Sequence, residues 1–173
     1  MNNFNPFSTS STKEWYSVYT MVRHEKAANL ALAEKDIETF LPLREVLSRW
    51  KDRKKRIQIP LFPGYLFVNI HLKDMWDVLN RRNVVRILGV QGIPIPVPVE
   101  QINAIKRLLE SDLRYDPYPY FAEGKEVIVV NGPLQGVRGK ILEVRGNYRL
   151  ILSVDFIQRS VSLEIDIKDI ELV

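Results

Sequence analysis

The first 110 residues alternate between segments with a strand pattern and segments with a helix pattern. Residues 15–20 are rich in β-branched and aromatic side chains, which is typical of a strand. Residues 65–70 give the strongest buried-strand pattern in the chain. A second strand, interrupted by proline, is predicted over 39–43 and 45–47, and a short strand at 84–90.

Helical patterns separate these strands. Good helix formers fill residues 24–35, where Ala27, Leu30 and Ala31 are spaced to share one face. Two more helices are predicted at 73–82 and 99–109, the second of them amphipathic. The order β-α-β-β-α-β-α predicts an α+β domain in which helices cover one face of a sheet.

The last third of the chain has a different pattern. Pro117 and Pro119 alternate with tyrosines, which disfavours a helix and favours an extended linker. Short strands separated by turns follow, at 126–130, 136–144, 148–154, 161–165 and 167–172. Five short strands in so brief a segment predict a small β-barrel. We therefore expect a disordered polar tail at 1–13, a first domain at 14–110, a linker at 111–121 and a barrel at 122–173.

Composition excludes several classes of function. The chain has 173 residues, of which 46% are hydrophobic and 27% charged, as in ordinary globular proteins. It contains no cysteine and two histidines, which excludes disulfides, thiolate metal sites and a three-histidine site. No nucleophile elbow or metal-binding His/Glu motif is present. We therefore expect no enzymatic activity, no metal and no cofactor.

The sequence also gives expectations about location. No run approaches the roughly 18–20 apolar residues of a membrane span. The polar N-terminus lacks the apolar core of a secretory signal. The expected location is the cytoplasm, with no membrane partner.

A basic run at residues 49–56 is the first candidate for chemistry. It carries six cations and one anion, and we expect an exposed hairpin tip there. Such a tip attracts nucleic-acid phosphates through counterion release. Trp50 could stack on a base. The alternatives are a solubilising loop and a tryptophan packed on the sheet.

The aromatic side chains are the second candidate. Because alternate residues of a strand share a face, Tyr65 and Phe67 point one way and Leu66 and Val68 the other. If Leu66 and Val68 contact the helices, Tyr65 and Phe67 form an exposed apolar patch that marks a partner site. The alternative is that another segment or the second domain covers this face.

A glycine-rich segment lies early in the predicted barrel. Gly132, Gly136 and Gly139 are interpreted as turn residues between strands. The spacing does not match a phosphate-binding loop.

Three segments together resemble the NusG family of transcription elongation factors. They are the opening strand at residues 15–20, the run from Pro60 to Val68, and Gly124 to Lys140, which is similar to the KOW motif. The resemblance extends over residues 14–173. It implies an N-terminal NGN-type sheet joined to a small five-stranded SH3-like barrel, in a monomeric, bacterial protein.

The resemblance also implies partners. The first domain would bind the clamp helices of the RNA polymerase β′ subunit through an apolar depression and suppress pausing or termination. The family contacts fall on Tyr19, Phe62, Tyr65, Phe67 and Val84. The nontemplate DNA strand would pass nearby, and the candidate nucleic-acid contacts are Arg23, His24, Arg53, Lys54, Lys55, Arg56 and Arg82.

The barrel implies further partners. Its expected contact residues are Leu134, Phe156, Ile157 and Arg159, and ribosomal protein NusE is the expected partner. Where the family has Phe-Gly-Arg, this chain has Ile157-Gln158-Arg159, which leaves binding to termination factor Rho open. The β-biased segments 127–130 and 161–165 predict a barrel rather than a helical tail.

The run from Pro60 to Val68 is more similar to the specialised RfaH-like and UpxY-like members than to housekeeping NusG. The His-Thr-Thr element of RfaH is missing from residues 72–77, which argues against a contact to the polymerase gate loop. A KOW-containing RNA-binding or ribosome-associated module stays an alternative.

Overall fold

The structure, a computed structural model, describes residues 12–50 and 53–173. Its internal contacts divide the chain into two units, Met1–Val97 and Pro98–Val173. The predicted boundary after residue 110 therefore differs from this division, which places the last predicted helix with the barrel. Most of the predicted tail lies outside the described residues, so its disorder stays a prediction.

The N-terminal unit contains most of the elements predicted for it. Its strands are β1 Glu14–Thr20, β2 Glu38–Phe40, β3 Leu43–Trp50, β4 Arg53–Pro60, β5 Tyr65–Ile70, β6 Val84–Ile87, β7 Gly89–Val90, β8 Ile93–Pro94 and β9 Pro96–Val97. Its helices are α1 Glu25–Ala33 and α2 Met75–Leu79, and a 3-10 turn at Leu72–Asp74 precedes α2. The predicted helix at 73–82 is thus shorter, and the predicted strand at 84–90 is interrupted at Leu88.

The main sheet has the strand order β2-β5-β1-β6, with β9 also paired to β1. The antiparallel register of β1 and β5 places Tyr16 opposite Val68 and Val18 opposite Leu66. These side chains belong to one buried core with residues of α1 and α2. The prediction that helices cover one face of the sheet is confirmed for these two helices.

Helix α1 packs through a different face from the one expected. Its buried residues are Glu25, Ala28 and Leu32, whereas Leu30 is 61% exposed. Ala28 and Leu32 are four residues apart and each follows a predicted residue, Ala27 or Ala31, by one position, so the buried face is rotated relative to the predicted one. Several small apolar residues in this helix allow more than one apolar face, and the contact with the sheet selects between them.

Strands β3 and β4 form a separate antiparallel hairpin. Its register extends from Leu43 opposite Pro60 to Trp50 opposite Arg53. The side chain of Lys26 in α1 donates to the carbonyl of Gln58, at 2.6 Å. The described residues of the basic run, 49–50 and 53–56, lie at the end of this paired ribbon, and residues 51–52 of the expected tip lie outside the described residues.

The C-terminal unit is a helix and a six-stranded antiparallel sheet. Its elements are α3 Val99–Glu110, β10 Tyr115–Tyr118, β11 Lys125–Val129, β12 Arg138–Val144, β13 Asn147–Val154, a 3-10 turn Asp155–Ile157, β14 Arg159–Ile165, a 3-10 turn Ile167–Asp169 and β15 Ile170–Leu172. The strand order is β10-β14-β13-β12-β11-β15. Val127, Leu150, Leu152, Val161 and Leu163 are buried in this unit. The prediction of β structure rather than a helical tail is confirmed.

Residues 115–118 differ from the prediction. They are extended, as expected for a linker, but they pair with β14, with Tyr115 opposite Leu163 and Tyr118 opposite Ser160. Pro117 has no N–H to donate to a neighbouring strand. Proline is therefore confined to edge strands, where one side of the backbone has no strand partner. The segment therefore forms the edge of the barrel sheet rather than a free linker.

Gly139 also has a different role from the predicted one. It lies within β12, opposite Val127, and not in a turn. A Cβ at this position would lie 2.7 Å from the carbonyl oxygen of Ile151 and 2.9 Å from Leu150 Cδ1. The glycine permits close approach of β12 and β13. Gly132 and Gly136, by contrast, have positive φ and agree with the turn interpretation.

In the part of the chain that the structure describes, no helix has the length and apolar character needed to cross a bilayer.

The packing around Gly139 predicts that Gly139→Ala destabilises the C-terminal unit by about 1–3 kcal/mol, as overpacking does elsewhere. The nearest obstacle is a backbone carbonyl, which cannot move without disturbing the pairing of β12 and β13. Amide hydrogen exchange measures this loss of stability residue by residue. Exchange should accelerate in β12 and β13 and stay unchanged in β1 and β5; unchanged exchange in β12 would contradict the prediction.

Candidate functional site

The candidate surface is built on the turn between β4 and β5. The N–H of Tyr65 donates to the carbonyl of Phe62 at 3.1 Å, and Gly64 has φ of +86°. The ring of Pro63 fixes the φ of the second turn residue. Gly64 is the third turn residue and adopts the left-handed conformation that this position needs. The Pro63-Gly64 pair thus defines where β5 begins and where Tyr65 lies.

Three hydrogen bonds hold Gly64. Its N–H donates to Oε1 of Glu25 at 2.7 Å, and this carboxylate belongs to the first residue of α1. Its carbonyl accepts from the N–H of Thr20 at 2.9 Å and from Thr20 Oγ1 at 3.3 Å. The turn is therefore tied both to the end of β1 and to the start of α1.

Two tyrosines and one arginine meet on the sheet face opposite the helix core. Tyr19 and Tyr65 are cross-strand partners, with ring centroids 5.5 Å apart and planes at 56°. Arg86 lies opposite Tyr19 on β6, and its guanidinium carbon is 5.5 Å from the centroid of that ring. Both tyrosines are half-buried and Arg86 is exposed. We call Tyr19, Tyr65 and Arg86 the tyrosine surface.

The expectation that Phe67 is exposed is wrong. Phe67 is 0% exposed and its ring stacks on Phe40, with centroids 6.0 Å apart. Phe40 in turn meets Trp15 edge to face at 6.5 Å. Aromatic residues of neighbouring strands thus pack on this part of the face, which a single strand's alternation could not predict.

Two other residues predicted at the surface also have different positions. Phe62 is 1% exposed and cannot offer its ring to a partner in this conformation. Val84 packs against the core on the helix side of the sheet, since the register shifts between Tyr19 and Thr20 where β1 meets β6. Of the five predicted polymerase contacts, only Tyr19 and Tyr65 present their side chains at this surface.

The predicted nucleic-acid contacts near the sheet are exposed. Arg23, His24 and Arg82 are all accessible, and Arg23 has a positive φ of 62°. The N–H of Met21 donates to the carbonyl of Asn83 at 2.9 Å. This bond joins the loop before α1 to the loop before β6, so the three cations come from two connected loops.

The hairpin cations divide between two faces. Lys54 and Arg56 share a face with Arg49, whereas Lys55 points to the other side. Arg56 Nη1 lies 3.1 Å from Glu45 Oε1, and both side chains are more than half exposed. Such a pair contributes at most about 1 kcal/mol. The side chain of Arg53, the remaining predicted contact of this run, lies outside the described residues.

The predicted partner site of the barrel is only partly at the surface. Leu134 is 2% and Ile157 4% exposed, so the expectation that they contact a partner directly is wrong. Leu134 lies inside a compact turn, closed by a bond from Val137 N–H to its carbonyl at 2.9 Å. Phe156 is half-buried and Arg159 is exposed, and both stay candidates.

Helix α3 joins the two loops that carry these residues. Arg107 donates to the carbonyls of Gln135 at 2.6 Å and Pro133 at 2.7 Å. Gln101 donates to Asp155 Oδ2 at 2.7 Å and accepts from the Asp155 N–H at 3.1 Å. Tyr120 donates to the other Asp155 oxygen at 3.0 Å, and burial together with this carboxylate raises the pKa of its hydroxyl.

Sequence reasoning missed these polar contacts as well as Glu25 and Arg86. In the sequence, Gln101 and Arg107 are polar residues of an amphipathic helix, which usually face solvent. Glu25 is an acidic residue in the first turn of a helix, where such residues are common. Arg86 becomes interpretable only when the register of β1 and β6 is known. Within residues 12–50 and 53–173, no cluster of His, Cys, Asp or Glu is arranged to hold a metal ion.

Comparisons with known proteins agree with this architecture. Residues 13–106 match the family model described as transcription termination factor NusG. The transcription termination/antitermination protein NusG of Thermus thermophilus is 30% identical, over 91% of this chain and 97% of its own length. The protein of the same name from Escherichia coli K12 is 27% identical, over 95% and 98%.

A solved structure has a similar fold. It is described as domain interaction in Thermotoga maritima NusG and aligns with a TM-score of 0.54 at 22% identity. The alignment covers 93% of this chain and 97% of that one.

The burial difference between neighbouring aromatic residues generates a stability prediction. Phe67→Ala should lower the free energy of unfolding by about 3–5 kcal/mol, because it leaves a cavity in a packed aromatic cluster. Tyr65→Ala, on the same strand and face, should cost much less, because that ring is already partly in water. Urea unfolding followed by circular dichroism measures both; equal losses would contradict the assignment of Phe67 to the interior.

Proposed function

Because this chain belongs to the NusG family of transcription termination/antitermination factors, we propose that it binds RNA polymerase through the tyrosine surface. The observation that carries the proposal is the half-buried pair Tyr19 and Tyr65, beside the exposed Arg86, on a face that is otherwise packed with aromatic residues. The proposed target is the clamp-helix pair of the β′ subunit, and the mode of action is binding without catalysis.

The chemistry of the tyrosine surface suits such a target. Tyrosine rings offer apolar area at a low cost in conformational entropy, and the hydroxyl groups can bond polar groups at the rim. Tyrosine and arginine are among the residues that most often dominate binding energy at interfaces. Both rings lie on paired strands, so little ordering is required on binding.

Binding of this kind can change transcription without any covalent step. A factor that binds the polymerase more tightly in its active state than in its paused state shifts the population toward the active state. We propose that the chain suppresses pausing or termination in this way. The size of the effect is limited by the difference in affinity between the two states.

The basic side chains supply a second, electrostatic contact. Lys54, Lys55 and Arg56 on the hairpin and Arg23, His24 and Arg82 on the two joined loops are all exposed. We assign them to DNA phosphates near the polymerase, including the nontemplate strand. Phosphate contacts of this type give affinity and position rather than sequence preference.

The barrel is proposed to couple transcription to the ribosome through ribosomal protein NusE. Phe156 and Arg159 are the residues that can reach such a partner in this conformation. The specialised RfaH-like and UpxY-like branch also stays a proposal, based on the run from Pro60 to Val68. Binding to Rho is left to experiment.

A second candidate function is an RNA-binding or ribosome-associated module. The separate hairpin favours it, because its cations are displayed on a ribbon away from the main sheet. Salt-sensitive RNA binding without polymerase binding would support this second candidate.

The experiment that separates the two is a titration of the protein against a paused bacterial elongation complex, with affinity and pause lifetime measured together. Tight binding with shortened pauses supports the antitermination proposal. Binding with lengthened pauses retains the polymerase contact but reverses its effect. Absence of binding at low salt contradicts the proposal.

Replacement of Tyr65 tests the tyrosine surface. Tyr65→Ala should weaken binding to the paused complex by about 1–3 kcal/mol, as loss of a central aromatic anchor does. Trp76→Ala is the matched control, because Trp76 is a 62% exposed aromatic residue of the same unit, on helix α2. Equal affinities of Tyr65→Ala and the unmodified protein would remove Tyr65 from the interface.

Salt dependence tests the hairpin. Changing Lys54, Lys55 and Arg56 together to glutamine should weaken binding at low salt and lower the slope of log K against log salt by about 2–3. Glu45→Gln should instead strengthen binding at low salt, because it removes the exposed carboxylate that pairs with Arg56. A loss of affinity that stays constant from low to high salt would contradict an electrostatic role.

A further inference from the structure

We infer that Glu25 is the positioning residue of the tyrosine surface, an inference that rests on the proposed function of that surface. Glu25 is 5% exposed although it is a carboxylate at the start of a helix. Its contact with the N–H of Gly64 at 2.7 Å has the short length of a charge-assisted hydrogen bond. A buried carboxylate is costly unless such bonds compensate it.

The bond fixes the turn from which Tyr65 starts. Gly64 directly precedes Tyr65, and its carbonyl is simultaneously held by Thr20, the neighbour of Tyr19. The peptide groups of Gly64 therefore connect the ends of the two strands that carry the tyrosine pair. Loss of the bond to Glu25 leaves the turn anchored on one side only.

The space around Gly64 couples its position to Tyr19. A Cβ built on Gly64 would lie 3.1 Å from Cε2 of Tyr19, so the ring packs directly over this turn. A displacement of the turn by a few tenths of an ångström therefore changes the support of the Tyr19 ring. The position of Tyr65 changes with it, because both rings are in contact.

Helix α1 provides a rigid base for this contact. Glu25 is its first residue, and its carboxylate is favoured there by the positive end of the helix dipole. Ala28 and Leu32 of the same helix are buried against the sheet core. Lys26, the next residue, is bonded to the hairpin. One helix start thus holds both the turn and the hairpin.

The test combines a structural and a functional measurement. In nuclear magnetic resonance spectra of the unmodified protein, the Gly64 amide proton should be protected from exchange. In Glu25→Ala the resonance of this proton should shift upfield, and the contacts between the rings of Tyr19 and Tyr65 should be lost. Glu25→Gln keeps an acceptor oxygen and should restore most of the protection. Rapid exchange of Gly64 in the unmodified protein would overturn the inference, even if Glu25→Ala does not fold.

The functional measurement uses the paused elongation complex. Glu25→Ala should bind about tenfold more weakly, a loss comparable to that of one hydrogen bond to a charged group. Glu25→Gln should recover most of this loss. Val78→Ala is the matched control, because Val78 is a fully buried core residue of α2 and is expected to lower stability while leaving the affinity of the folded protein unchanged.

The outcomes separate the two hypotheses. Equal losses of affinity in Glu25→Ala and Val78→Ala would show that Glu25 acts through general stability, which overturns the positioning role. If Tyr65→Ala binds like the unmodified protein, the proposed interface fails. The exchange of Gly64 and the tyrosine ring contacts then still decide whether Glu25 holds the turn.

Discussion

The antiparallel pairing of β1 with β5 is the interaction on which the N-terminal unit depends. Its register assigns every side chain of both strands to a face. Tyr16 and Val18 are thereby committed to the helix-side core with Leu66 and Val68. A shift by one residue would bury Tyr65 among the helices and expose the leucine and valine. Core and candidate surface are therefore consequences of the same set of backbone hydrogen bonds.

The turn before β5 adds hydrogen bonds at one end of this pairing. Gly64 adopts a backbone conformation that other residues resist, and its neighbours in the fold, Thr20 and Glu25, bond both of its peptide groups. A polar cluster at the end of the strands thus complements an apolar core in the middle. The core supplies most of the stabilisation, because apolar burial is the dominant favourable contribution to folding. The polar cluster supplies a defined geometry where the chain leaves the core.

In the C-terminal unit, backbone pairing has a comparable role. Strand β10, with Pro117 in it, closes the β14 edge of the sheet, and unpaired edges are sites of unwanted association. Gly139 lets β12 and β13 approach closely. Arg107 and Gln101 of α3 bond the two loops that carry Leu134 and Ile157. The residues expected to bind a partner are consequently divided into a buried pair and an accessible pair.

Most element types, their order and the family can be read from the residues alone; the exceptions are the short strands β8 and β9 and the edge strand β10. Strand and helix patterns are local, and the runs around Tyr65 and Gly124 are distinctive enough to be recognised without a structure. The tight turn at Pro63-Gly64 was also predictable, because proline and glycine restrict the backbone in known ways. The six cations of the hairpin were visible for the same reason, since a charge run needs no partner to be detected.

Which aromatic residues are exposed depends on contacts between segments that are distant in sequence. Tyr65 and Phe67 have the same pattern and the same face, yet Phe67 packs on Phe40, a residue more than twenty positions away in sequence. The same holds for the buried face of α1, for Val84, and for the partners of Glu25 and Arg86. Each depends on strand register or helix contact between distant segments. Local periodicity carries no information on such contacts, because it is the same whichever neighbour covers a residue.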